Sequence, residues 1–212
     1  MTERPARGST ETAAGAEPRR PVDSTNERGR RPSDLCRHVV LVGLSGSGKS
    51  SVGRRVAALL RRPFRDADDE IEARAGRTVR EIFATDGEPA FRELEASVMA
   101  DLLGAPGSSV IAAGGGAVVT ESTRKLLREP DVFVVWLTAA PEFLASRTVK
   151  KAHRPLLDGD AAAALAQLLE ARTAWYEEVA DATYDVQPAH DAAPKPEAKD
   201  NIAKDIAAMV SA

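Results

Sequence analysis

Cysteine occurs once in this chain, at Cys36, so no intramolecular disulfide can form and no second thiol is present to share a metal ion. The thiol reads as incidental, at the junction of an N-terminal tail and a folded domain. Long apolar runs are missing as well. Stretches such as DVFVVWL, Asp131–Leu137, are strand-length and fall well short of the roughly 18 residues that span a bilayer. There is no basic excess either, since 29 Lys and Arg stand against 32 Asp and Glu for a net charge of −3. The first 36 residues hold seven Arg, six acidic residues, four Pro and three Gly, with almost nothing larger than alanine to bury, which predicts a disordered tail over 1–36. Because that tail is slightly basic, the remainder is more acidic than the total, and nucleic acid is excluded as a partner. The tail lacks the apolar core of a secretory signal, and its acids argue against an organelle transit peptide. These absences predict a cytoplasmic protein with no membrane segment and one globular domain over 37–212.

What is present from His38 onward is an alternation of strand-like apolar runs with helix-period segments, the signature of a parallel sheet covered on both faces. HVVLVG reads as the first strand, followed by a helix with Val52, Val56, Leu59 and Leu60 at i, i+4, i+7 and i+8. PFR, before Asp66, reads as a short strand. A long helix is expected from Glu88 to Leu103, with Phe91, Leu94, Val98 and Leu102 on one face. SSVIAA is a buried strand, TESTRKLLRE a short helix opened by a threonine cap, and DVFVVWLT another strand. Helices are expected over Pro141–Thr148 and Ala161–Tyr176, with a polar stretch between them, then a strand over Thr183–Val186. PAHDAAPKPEAK reads as a surface connection. The last helix, with Ile202, Ile206, Met209 and Val210 in register, folds back on the sheet.

GLSGSGKS, Gly43–Ser50, matches G-x-x-x-x-G-K-[ST] residue for residue between a strand and a helix. A chance match in a chain of this length is roughly a one in a hundred event. Backbone N–H groups of such a loop, with Gly43, Gly46 and Gly48 permitting the curl, cradle a β-phosphate at the positive end of the following helix. Gly46, Ser47, Gly48, Lys49, Ser50 and Ser51 are therefore expected to bind ATP, with Lys49 reaching the β- and γ-phosphates and the Ser50 hydroxyl on Mg²⁺.

The acceptor is read downstream. Asp66 and Asp68 stand at i and i+2, so in extended chain both face one side of the sheet, one suited to Mg²⁺ through water and the other to an acceptor proton. Asp68 and Asp69 also suit a helix N-cap ahead of EIEARAG. Arg92 lies at the edge of a buried helix face or in a solvated i, i+3 pair with Glu95. Arg172 late in its helix could equally face solvent, and Arg154 sits in a cationic stretch of the kind that closes over phosphates. Three consecutive glycines, Gly114–Gly116, end a buried strand. Glycine costs roughly 0.5–1 kcal/mol against alanine in an ordered element, so either a tight turn or a close neighbour accounts for them.

Together GLSGSGKS, DADDEIE, IFATDGEPAFRELE, AAGGGAV, HRPLL and ARTAWYEEVAD resemble the shikimate kinase family, in its order and near its spacing, over about Val39 to Val186. The resemblance implies an α/β, three-layer P-loop NTPase fold of the nucleoside-monophosphate-kinase type, with a five-stranded parallel sheet flanked by helices. It implies transfer of the γ-phosphoryl of ATP to the 3-hydroxyl of shikimate, on the route to chorismate and the aromatic amino acids, by a monomer. By the same resemblance Lys49, Asp68 and Arg154 are catalytic, and Asp66 with Ser50 supports Mg²⁺. Asp68, Arg92, Gly114, Gly115, Gly116 and Arg172 meet shikimate, while Arg147 and Pro155 sandwich adenine and Arg154 closes from a lid over about 149–160. One departure stands out: where the family has Arg-x-Pro-Leu-Tyr, this chain reads Arg172-Thr-Ala-Trp-Tyr176, which bears on the placement of Arg172.

Three other readings compete. A gluconate kinase of the same fold would carry His-Pro soon after the acidic strand, where this chain has DEIEARAG. A nucleoside monophosphate kinase would need a base pocket for which no motif is seen. A nucleotide-binding regulator that had lost transfer would be expected to lack Asp68 or Arg92, and both are present.

Overall fold

Val39, Val40, Leu41 and Val42 are β-branched or branched apolar residues with no polar alternation, so the strand they form must be covered on both faces. It is: β1, His38–Val42, is buried at every position. The computed structural model describes residues 36–148 and 160–211. Residues 1–35, almost all of the expected tail, and residues 149–159, with Arg154, Pro155 and nearly all of the expected lid, lie outside the described residues.

The described chain runs β1, α1 (Lys49–Leu60), β2 (Phe64–Asp66), α2 (Ala67–Ala75), α3 (Val79–Gly104), β3 (Ser109–Ala112) and a 3₁₀ turn at Ala117–Val119. It continues through α4 (Glu121–Leu127), β4 (Val132–Thr138), α5 (Pro141–Thr148), α6 (Ala161–Val179), β5 (Ala182–Asp185), α7 (Gln187–Ala192) and α8 (Lys195–Ser211). The five strands form one sheet in the order β2-β3-β1-β4-β5, with every neighbouring pair parallel. The chain leaves β1 toward β2 and β3 on one side and returns to β4 and β5 on the other. The C-terminal end of β1 is therefore the switch point where open α/β sheets bind ligands. Among the described residues, no helix is long and apolar enough to cross a membrane.

Several local expectations are corrected. Leu59 is 49% exposed, so the inward face of α1 is set by Val52, Val56 and Ala57, and the helix stops at Arg61, whose φ of 54° is left-handed. Asp66 and Asp68 are not both in extended chain. Asp66 ends β2 and caps α2, its carboxylate accepting from the Asp68 N–H at 3.2 Å, which satisfies an otherwise orphaned donor. The long helix starts earlier than Glu88, at a Thr78–Glu81 capping box, and breaks at Gly87 (φ 80°, ψ 172°) just ahead of Pro89. Its buried stripe is Phe91, Glu95, Val98 and Met99, one step round from the expected Leu94 and Leu102. The supposed surface connection contains α7 and the start of α8, and Thr120 stands at the start of α4 without a side-chain cap bond. Cys36 belongs to the core and not to the tail: it is 8% exposed and its thiol donates to the His38 carbonyl.

Candidate active site

The loop between β1 and α1 is shaped by close backbone approach. A methyl group on Gly46 would strike the Leu144 carbonyl oxygen, and φ there is 87°, a region that side chains rarely adopt. Gly48, with φ 94°, takes the N-cap position of α1. Lys49 is 7% exposed, and its ammonium donates to the carbonyls of Gly43 at 2.7 Å and Leu44 at 3.0 Å. The Ser47 hydroxyl closes the loop on the Leu44 carbonyl.

A cavity of about 240 Å³ opens over this loop. Gly46, Gly48, Lys49, Ser50 and Ser51 line its floor, Asp66 and Asp68 one side, and Arg147, Lys195 and Lys199 another. The triphosphate loop and the acidic pair expected to face it are therefore in one place. Among the described residues no group of three or more His, Cys, Asp or Glu is arranged to hold a metal. Mg²⁺ takes one or two protein oxygens together with phosphates and water. Ser50 and Asp66 supply such hard oxygens to the same cavity.

Behind Asp68 stands a second group, organised by the glycines. A methyl on Gly114 would strike Glu95 Oε1 and lie 3.2 Å from Asp68 Oδ1, while one on Gly116 would strike the Arg92 guanidinium. Bare backbone is needed because the protein's own charged groups press against it. Between these two, the Gly115 carbonyl accepts from Arg172 Nη1 at 3.0 Å and from the Tyr176 hydroxyl at 2.9 Å. Arg172 and Tyr176, one turn apart on α6, thus pin the glycine stretch. Tyr176 stacks on Trp136 at 5.2 Å, and burial pushes its phenol far above the ordinary range. The Ala174-Trp175 departure does not divert this helix: α6 runs unbroken to Val179, Arg172 is 7% exposed, and Trp175 lies under the Arg124 guanidinium.

Arg92 does pair with Glu95, yet the pair is not solvated. Arg92 Nη1 lies 2.6 Å from Glu95 Oε2, with the two side chains 13% and 2% exposed. A second, more exposed carboxylate, Glu88, holds Nη2 at 2.8 Å, and the guanidinium lies over the ring of Phe91. Glu95 Oε1 is buried without a hydrogen-bond partner. Burial pushes the Glu95 carboxyl above its usual range; Arg92 pulls the other way and Asp68 adds to the rise. Glu95 entered the sequence reading only as the salt-bridge partner of Arg92, because a carboxylate in the middle of an apolar stripe looks like an outward-facing residue. Lys195 and Lys199 were missed because their segment reads as a connection. Arg92, Glu95 and Arg172 do not line the cavity over the phosphate loop; they adjoin it through Asp68 and Gly114.

Comparison with known proteins agrees with this geometry. Residues 45–210 match the family described as shikimate kinase. A shikimate kinase of Caulobacter vibrioides is 55% identical over 141 residues, 66% of this chain and 70% of that one. One of Cereibacter sphaeroides is 47% identical over 165 residues, 76% of this chain and 80% of its own. Among solved structures, a shikimate kinase from Acinetobacter baumannii in complex with shikimate superposes with a TM-score of 0.72 at 35% identity, over 81% of this chain and 90% of that one. The enzyme of Aquifex aeolicus does so with a TM-score of 0.66 at 28% identity, over 82% and 95%. With the phosphate loop at the switch point of a five-stranded parallel sheet, this chain belongs to the shikimate kinase family.

Proposed function

We propose that the residues gathered here carry out the family's reaction, transfer of the γ-phosphoryl of ATP to the 3-hydroxyl of shikimate, in the following division of labour. The observation that carries it is the placement of Asp68, which lines the phosphate-loop cavity and lies against Gly114, the contact point of Glu95. That carboxylate reaches from the phosphate-loop cavity to the Gly114 backbone. It takes the proton as the acceptor oxygen bonds to the γ-phosphorus and the bond to the bridging oxygen of ADP breaks.

Lys49 exchanges its carbonyl partners for the transferring phosphoryl and follows its charge. Gly46, Ser47, Gly48 and Ser51 hold the β-phosphate end through the loop. Ser50 and Asp66 are the residues that would hold Mg²⁺, which when bound offsets charge on the terminal phosphates. Arg92 and Arg172 orient the acceptor's carboxylate; a planar guanidinium matches a carboxylate in two bonds, and the exposed Glu88 is the partner Arg92 can release. Gly114, Gly115 and Gly116 place backbone against the acceptor ring, and Glu95 Oε1 accepts a ring hydroxyl. Arg147 faces the adenine end; Arg154 and Pro155, outside the described residues, are assigned their roles by resemblance alone.

In this reading the protein is a cytoplasmic monomer with a small carboxylic acid as its acceptor, and equilibrium sedimentation checks the monomer. Coupled ADP release measured side by side with shikimate, quinate and gluconate tests the function. Activity on shikimate alone is expected, and comparable activity on gluconate would overturn the acceptor assignment.

A further inference from the structure

We propose that Arg124, held by Trp175 and Glu178 of α6, is a positioning residue for the acceptor, because it fixes the backbone that carries Gly114, Gly115 and Gly116. The inference rests on the proposed reading of those glycines as the surface against which the acceptor ring lies.

The glycine stretch leads straight into the 3₁₀ turn Ala117–Val119, and the two form one backbone unit. The Ala117 N–H donates to the Gly114 carbonyl at 3.2 Å, and the Val119 N–H to the Gly116 carbonyl at 2.8 Å. A turn this short leaves its last carbonyls without partners inside it. Arg124, on α4, supplies the donors. Its Nη1 carries two hydrogens and donates to the Val118 carbonyl at 2.8 Å and to the Val119 carbonyl at 3.0 Å.

The guanidinium is itself held from α6. Its carbon lies over the Trp175 ring, 5.2 Å from the centroid, and its Nε lies 3.0 Å from Glu178 Oε2. Trp175 and Glu178 stand at i and i+3, neighbours on the helix surface. Arg128 Nη1 meets the other oxygen of Glu178 at 2.8 Å, which fixes that carboxylate in turn. The Arg124 side chain is 13% exposed against 41% for Arg128, so Arg124 is the enclosed cation of the network, where charge-assisted bonds are least weakened by water.

One helix therefore grips the turn twice. Arg172 and Tyr176 bond the Gly115 carbonyl directly, while Trp175 and Glu178 reach the carbonyls of Val118 and Val119 through Arg124. The Ala174-Trp175 departure gains a physical meaning here. Ala174 lets α6 run unbroken past the turn, and Trp175 presents to Arg124 a ring face that leucine lacks. The backbone so held has little freedom, since neither Gly114 nor Gly116 has room for a methyl beside Glu95 and Arg92. A displacement smaller than a methyl group would thus disturb Arg92 and Arg172 together, and small misplacements remote from the chemistry are costly. Arg124 does not line the cavity over the phosphate loop, so its loss should leave the nucleotide end intact.

The test is steady-state kinetics of Arg124→Gln with shikimate and ATP varied in turn. The shikimate KM is expected to rise about tenfold, with the ATP KM and the ADP Kd within about twofold of the unaltered protein. Arg124→Lys keeps a donor for the carbonyls and should bring the shikimate KM back to within about threefold. A merely structural role gives another pattern: fewer molecules fold, kcat falls and both KM values stay where they were. That result overturns the inference, and so does a parallel rise of both KM values. Glu178→Gln alters only charge at a half-exposed side chain and keeps the test open should Arg124→Gln fail to fold. Its shikimate KM should rise about threefold, as should that of Trp175→Leu, whereas Trp175→Phe should stay near the original. An unchanged shikimate KM in both Glu178→Gln and Trp175→Leu overturns the clamp. In Arg124→Gln/Glu178→Gln the shikimate KM should rise no further than in Arg124→Gln alone, and an additive rise would show that Glu178 does not act through Arg124 and overturn the clamp as well. Failure of the underlying reading looks different. If the glycines are not the acceptor surface, Gly116→Ala leaves the shikimate KM unchanged; if only the clamp is wrong, Gly116→Ala raises it and Arg124→Gln does not.

Discussion

Beside the cavity, at the end proposed for the acceptor, Arg92 is 13% exposed, bonded to two carboxylates and wedged against Gly116, and Glu95 next to it is 2% exposed. At the nucleotide end Lys195 is exposed, Lys199 and Arg147 are half-buried, and the floor is backbone held open by glycines with left-handed φ. The first end is assembled during folding, so little reorganisation is left for the acceptor to induce, and a small acid can be fixed in one orientation. The second has a preformed loop and, on one wall, the cations Arg147, Lys195 and Lys199, which in the proposed reading meet a nucleotide that must leave as ADP after each turnover. Rigid charge pairs select; solvated charges attract.

If the two ends are separable, damage at one should spare the other. The largest effect is expected for Asp68→Asn, which keeps shape and removes the base: turnover should fall by about 10²-fold or more while the ADP Kd stays within about twofold. Near-normal turnover would remove Asp68 from the chemistry, and an equal loss of ADP affinity would show the ends to be one unit. Arg92→Ala comes next. Shikimate KM should rise by about 10- to 100-fold with the ATP KM little changed, and the fold should lose about 3 kcal/mol because Glu95 is left buried and unpaired. Urea denaturation checks the second part. The loss should be smaller at pH 5 than at pH 8, since the carboxyl left behind can take a proton.

Much of this comparison was legible in the residues alone, and unevenly so. The phosphate loop reads directly because its chemistry is backbone curvature, which glycine spacing encodes. The strands β1 and β4 were placed to within one residue by their apolar runs, and the helix α5 at its bounds by Pro141. Glu95 was legible only as a partner for Arg92. The helical period over Phe91, Leu94, Val98 and Leu102 set one face, but contact with Gly114 and Gly116, near in space and distant in sequence, rotates burial onto Glu95 and Met99. The cap that Asp68 and Asp69 suggested falls on Asp66 instead, because the Asp68 N–H needed an acceptor. Lys195 and Lys199 lie among prolines and alanines, where composition resembles a linker, and only the return of α8 against α1 brings them to the cavity they line.

Two glycines sharpen the contrast at a smaller scale. Gly116 has an ordinary φ of −115°, so Gly116→Ala is a purely steric change against the Arg92 guanidinium. It should raise shikimate KM about tenfold and leave ADP binding alone. Gly48 has space for a methyl, with Val52 at 3.7 Å and the Arg147 guanidinium at 4.0 Å, but its φ of 94° does not suit one. Gly48→Ala should therefore cost about 1–2 kcal/mol of backbone strain and weaken ADP about tenfold, with shikimate binding unchanged. Parallel losses of both ligands in either variant would erase the distinction between a steric end and a conformational end.

The smallest expected effect sets burial of an acid against burial of a base. Desolvation pushes the Glu95 carboxyl up, opposed by Arg92, and pulls the His190 imidazole down to about 4, helped by Arg147, Lys199 and Lys195 and opposed by Asp191. The folded protein holds the Glu95 proton longer than the unfolded chain does, so this group makes stability fall as pH rises from about 4.5 toward its raised value. His190 acts in the opposite sense: between about 4 and 6.5 the unfolded chain binds the proton and the folded protein does not, so stability rises with pH across that window. Because His190 is only half-buried, solvent screening should keep its contribution below about 1 kcal/mol. Urea denaturation of His190→Gln between pH 4 and 7 should show a flatter rise of stability with pH than the unaltered protein, and Glu95→Gln a steeper one. Curves displaced in the same direction would mean that the two ends do not respond to protons in opposite senses, and that the asymmetry between them stops at geometry.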